Sequence, residues 1–146
     1  MKMKLITAAA LCVAANAVFA QTASPVGLWK TIDDDGKTAK SLVRITEHDG
    51  VLSGSIEKIL DPAKQADKCD QCKDDRKDKP IVGLTIIRGV KPDADDKTQW
   101  SGGEILDPTN GKTYKTKLWS TDGGKTLNVR GYIGFLYRTQ VWQKAE

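Results

Sequence analysis

Cys69 and Cys72 stand two residues apart in the charged stretch "DKCDQCKDDRKDKP", Asp67 to Pro80. That spacing fits three chemistries. A dithiol placed where a strand opens into a helix does redox work, because the helix N-terminus lowers the first thiol's pKa. Two thiolates with two further ligands hold a zinc ion. Two cysteines in an oxidising compartment close a small ring that shapes a loop. Helical periodicity is absent around the pair, which weighs against the redox reading. The chain has one histidine, His48, and it lies in a different turn. Asp67, Asp70 and Asp74 are close by, but carboxylates are unusual partners for thiolates in a metal site. The disulfide ring is the favoured reading. In the loop-entropy model so short a ring stabilises by only about 2 kcal/mol, so its use is to shape the loop.

Hydrolytic machinery is harder to find. Any Ser–His arrangement has to use His48, which sits in "EHDG", a sequence typical of an exposed reversal. Glu104 and Asp107 are near each other, but Asp107 precedes Pro108 and is expected to cap a turn. The glycines fall in hairpins, not before helices, so none builds a phosphate cradle. No catalytic residue, metal or cofactor is expected, and a non-enzymatic protein is favoured over an enzyme.

Elements that could position such residues begin after residue 20. Lys2 and Lys4 precede the apolar run Ile6–Phe19, which ends at "VFA", Val18 to Ala20. This pattern predicts a secretory signal peptide over 1–20, cleaved after Ala20, and a periplasmic or secreted mature domain over 21–146. The run is short for a membrane span, and no later segment resembles one, so stable insertion of the mature chain is not expected. Leu11 stands where a lipoprotein signal needs a small residue, so Cys12 is read as passive filler within the signal. Removing Lys2 and Lys4 from 23 basic residues leaves 21 against 19 acidic ones, a net +2. That balance argues against nucleic acid as a partner. Export also places Cys69 and Cys72 where disulfides persist.

The mature chain alternates. Leu52, Gly54 and Ile56 oppose Ser53, Ser55 and Glu57. Tyr114, Thr116 and Leu118 oppose Thr113, Lys115 and Lys117. Leu127, Val129, Gly131 and Ile133 oppose Asn128, Arg130 and Tyr132. A period of two means one buried face and one wet face. Eight strands are expected: 26–32, 41–47, 52–60, 83–90, 99–106, 112–120, 126–133 and 137–143. Short reversals such as "HDG", "DPTNG" and "TDGGK" join several of them and imply antiparallel neighbours. Closure into a barrel is favoured over a sandwich, because closure removes edges. The charged stretch 61–80 is expected as a long loop with no sizeable amphipathic face.

"GLW", Gly27–Trp29, at the start of this series resembles the first signature of the lipocalin group. The resemblance implies that Trp29 closes the barrel floor, with Arg138 of the last strand lying on it as a cation–π contact. In order along the chain, "GLWKTIDDDGKTAKSLVRI", "GSIEKI", the Cys-x-x-Cys, "RKDKPIVG", "WSGGEILDPTNGKTY", "LNVRGYIG" and "RTQVW" resemble the exported bacterial family called domain of unknown function 2147. Tyr137 departs from a glycine that members often carry before "RTQ". The family implies a single lipocalin-like barrel and assigns no catalytic residue. The resulting expectation is an all-β, antiparallel, eight-stranded barrel that binds a small, partly apolar ligand. Tyr114, Trp100, Tyr132 and Trp142 are the candidate contacts. The alternatives are an envelope module that docks a protein or glycan through the Cys69–Cys72 loop, and a thiol-redox protein.

Overall fold

The structure, a computed structural model, describes residues 23–146; the expected signal peptide lies outside the described residues. Eight antiparallel strands form a closed barrel in chain order. They are β1 (Gly27–Ile32), β2 (Ala39–His48), β3 (Val51–Ile59), β4 (Thr85–Pro92), β5 (Trp100–Asp107), β6 (Lys112–Thr121), β7 (Thr126–Ile133) and β8 (Leu136–Lys144). Every boundary falls within two residues of its expected place, because the alternation and the turn residues agree. Between β2 and β3, Asp49 and Gly50 both adopt positive φ, 50° and 76°. A two-residue reversal of that hand matches the strand twist and sets the pairing of His48 with Val51.

The eight strands give the barrel two unlike ends. At one end lie the β2–β3, β4–β5 and β6–β7 reversals, the start of β1 and the end of β8. This end is solid. Val43, Ile45, Leu52, Leu118 and Leu127 point inward and are fully buried around Trp29. Each such side chain contributes about 1.5–3 kcal/mol by leaving water. Gly54 leaves room for this packing, since a Cβ there would stand 3.0–3.3 Å from the Ile87 side chain. The other end carries the β1–β2, β3–β4, β5–β6 and β7–β8 connections and is open.

The long β3–β4 connection is tied down at several points. It begins with a 3₁₀ turn, Pro62–Lys64, whose Ala63 N–H donates to the Asp61 side chain. Cys69 and Cys72 form a disulfide, as expected, but the ring does not sit in solvent. Both residues are buried, 0% and 2% exposed, and belong to the hydrophobic core. The β5–β6 turn packs onto them. A Cβ on Gly111, at φ +70°, would stand 1.9 Å from the Gln71 carbonyl oxygen, so only glycine allows this approach.

Arg76 anchors the far side of the loop. It is 2% exposed and donates to both Asp74 oxygens, to Glu104 Oε1 at 3.3 Å and to the Thr85 carbonyl at 2.9 Å. Hydrogen bonds from the Arg76 side chain hold the Asp74 carboxyl down to about 2 from its ordinary 3.8. The folded value lies below the unfolded one, so this contribution is present above about pH 4 and is lost as pH falls toward 2. Asp74 is 41% exposed, so solvent screening limits the pH-dependent share to about 1 kcal/mol or less. Arg76→Met is expected to lower stability at pH 7 and to flatten the stability profile between pH 4 and pH 2. Urea midpoints measured across that range check it. Asp35 and Asp93, held near 2 by Thr38 and Ser101, remain as the shared background in both proteins.

Candidate functional site

Toward the open end the inward-facing side chains no longer meet across the barrel. The space they leave is an open cavity of about 1120 Å³. That matches or exceeds the usual size of small-molecule pockets. Its walls carry Ile56, Ile59, Ile86, Ile105, Val129 and Trp142. Gly131 adds room on β7: a Cβ there would first meet Tyr114 Cβ at 3.5 Å, an ordinary contact, with open cavity beyond. The rim is formed by the β1–β2 turn, the Cys-bearing loop through Lys64, Asp67, Lys68 and Asp70, and the β5–β6 turn. Ile133 and Leu136, exposed at the tip of the β7–β8 hairpin, give the rim an apolar lip.

Polar groups on the inner wall of the cavity are partnered with one another. Thr31 and Ser41 share a hydrogen bond of 2.9 Å. Trp142 Nε1–H donates to Gln140 Oε1 at 2.9 Å, and Gln140 Nε2–H donates to Asp34 Oδ1 at 3.0 Å. Arg138 donates to the other oxygen, Asp34 Oδ2, at 2.6 Å. This chain of bonds runs from the deep part of the cavity to its mouth. It also closes a gap in the wall. The β1–β8 seam is paired at only two positions, Trp29 with Lys144 and Lys30 with Gln143, both near the solid end. Toward the mouth β1 and β8 part, and Asp34 bridges them through side chains.

The candidate aromatics divide. Tyr114 and Trp142 line the cavity. Trp100 faces inward but lies in the solid half, opposite Leu118, and packs against the core. Tyr132 is on the outer face: its partner across β8 is Tyr137, and their rings sit 5.8 Å apart. Beside them Arg130 lies between Trp119 and Tyr137, 4.9 and 4.0 Å from the two rings.

Trp29 is fully buried at the solid end, with its Nε1–H donating to the Pro25 carbonyl at 2.7 Å. The cation over its ring is Lys144, 4.7 Å away, and not Arg138. Pairing explains the difference. Lys144 is the direct neighbour of Trp29, whereas Arg138 is six residues back along the strand, roughly 20 Å away, at the mouth. Gly27, at φ +140°, makes the lysine's approach possible, since a Cβ there would stand 2.3 Å from Lys144 Nζ. A lysine so close to the strand end was readable as a cation, but its register against Trp29 was not.

A family model described as "Uncharacterized protein conserved in bacteria (DUF2147)" matches residues 27–144. Among solved structures, the chain is similar to HP1028 from the human pathogen Helicobacter pylori, a protein described as belonging to the lipocalin family. The two share 19% identity with a TM-score of 0.71, over 86% of this chain and 85% of that one. No curated protein sequence matches the chain.

Proposed function

The chain belongs to the DUF2147 family of uncharacterized bacterial proteins, and on that premise we propose that it is an exported, non-enzymatic binding protein that holds a small, partly apolar molecule inside its barrel. The observation that carries this reading is the contrast between the two halves. Small barrels are often filled by their own side chains. Here one half is filled and the other encloses an isoleucine-lined space of about 1120 Å³ open to solvent. The likeness to a lipocalin-family structure supports a fold that suits such a task. The export signal read from residues 1–20 supports a periplasmic or secreted location.

Docking of an envelope protein through the Cys69–Cys72 loop is the lesser reading. The loop turns Cys69, Cys72 and Arg76 onto the barrel, leaving only its charged outer residues for a partner. Redox work is disfavoured for the same reason: the bonded sulfurs are buried.

Titration with the neutral fluorescent probe N-phenyl-1-naphthylamine tests the cavity. We expect saturable probe emission accompanied by quenching of tryptophan fluorescence. Trp142→Phe should keep the probe bound but remove most of the quenching, because Trp142 lines the cavity wall. A flat titration counts against the reading.

A further inference from the structure

We infer that the cavity takes its ligand tail first and selects an amphiphile whose polar end is positively charged, such as a long-chain amine or quaternary ammonium. The inference rests on the binding reading above and adds the ligand's class and orientation.

The interior decides the orientation. Its deep wall is isoleucine, valine and tryptophan, and the polar groups that face inward are spent on one another. Among the described residues no cation faces the deep part to receive a carboxylate, and burying an unpaired charge there carries a large desolvation cost. A polar end must therefore stay at the mouth. The apolar lip of Ile133 and Leu136 is where a tail leaving water would first land.

The mouth decides the charge. Among the described residues six aspartates line the cavity against four cations, Lys40, Lys64, Lys68 and Arg138. Two of those cations are held, Lys40 by Asp33 at 3.4 Å and Arg138 by Asp34 at 2.6 Å. Asp61, Asp67, Asp70 and Asp107 then stand against Lys64 and Lys68. An arriving cation meets a surplus of carboxylates, and an arriving carboxylate meets the same surplus as repulsion. Tyr114 also lines the cavity near the mouth, and an aromatic ring attracts an ammonium more than a carboxylate.

The test uses three amphiphiles of equal tail length and compares their displacement of N-phenyl-1-naphthylamine, below micellar concentration and at low salt. The three are dodecyltrimethylammonium, dodecyl maltoside and dodecanoate. We expect the ammonium to bind at least about tenfold tighter than the carboxylate, a gap of about 1.4 kcal/mol. The neutral maltoside should fall between them. The gap should narrow at 0.5 M salt, where exposed charges are screened. It should also narrow in Asp67→Asn/Asp70→Asn, whose side chains hold no part of the fold together. Equal affinities for all three, or tighter binding of dodecanoate, overturn the charge inference while the cavity stands. If neither the probe nor any amphiphile binds, the binding reading itself falls.

Discussion

Gly131→Phe should abolish or severely weaken probe binding, by at least about tenfold, and leave the fold intact. Gly131 points into the barrel from β7, in register with Thr116 on one side and Arg138 on the other. A Cβ fits, with its nearest neighbours at 3.5, 3.8 and 3.9 Å. Everything beyond the Cβ must occupy space that is now cavity. The substitution also removes a glycine from a strand interior, which favours the strand. The melting temperature is therefore expected to stay within about 4 °C of the parent, equivalent to about 1 kcal/mol. Isothermal titration and thermal melts on the same sample separate the two effects. Undiminished binding in a folded Gly131→Phe protein would place the ligand outside the barrel.

Trp29→Ala acts at the opposite end and should cost about 3–5 kcal/mol, the range for deleting a fully buried tryptophan. Three things are lost together. The indole fills the solid end, its Nε1–H holds the Pro25 carbonyl, and its face receives Lys144. A domain of this size has about 5–15 kcal/mol in all, so the variant should be partly unfolded at 37 °C. Lys144→Met keeps the indole and removes the charge over it together with the hydrogen bond from Lys144 Nζ to the Val26 carbonyl, with an expected cost of about 1 kcal/mol. Urea denaturation of both variants checks the ordering. A Trp29→Ala loss below that of Lys144→Met would show that the solid end does not depend on the ring.

The eight strands were legible because two signals coincided. Leu52, Gly54 and Ile56 alternate with polar residues, and turn-forming residues stand where the alternation stops. The disulfide was legible from its spacing together with the export signal expected over residues 1–20. Its burial was not, because Cys69, Cys72 and Arg76 lie among lysines and aspartates whose composition predicts a solvated loop. Two of their packing partners, Gly111 and Glu104, are distant in the chain. The candidate site was legible only in part. Alternation that turns Gly131 inward also turns Tyr132 outward, so Tyr132 was excluded by its neighbours. Trp100 and Trp142 both face inward, and only height along the axis separates core from cavity. Height depends on register and shear, which no local pattern records. The same limit hid Lys144 as the partner of Trp29.

An even number of antiparallel strands returns the chain to the side it started from. Gly27 and Lys144 accordingly lie together beneath the solid base, where the Ala145 N–H donates to the Leu28 carbonyl at 2.9 Å. A tether leaving from the start of β1 or the end of β8 would hang from that base. The protein moored to a sensor chip or a bead would hold its opening toward the bulk solution, like a cup standing on its foot.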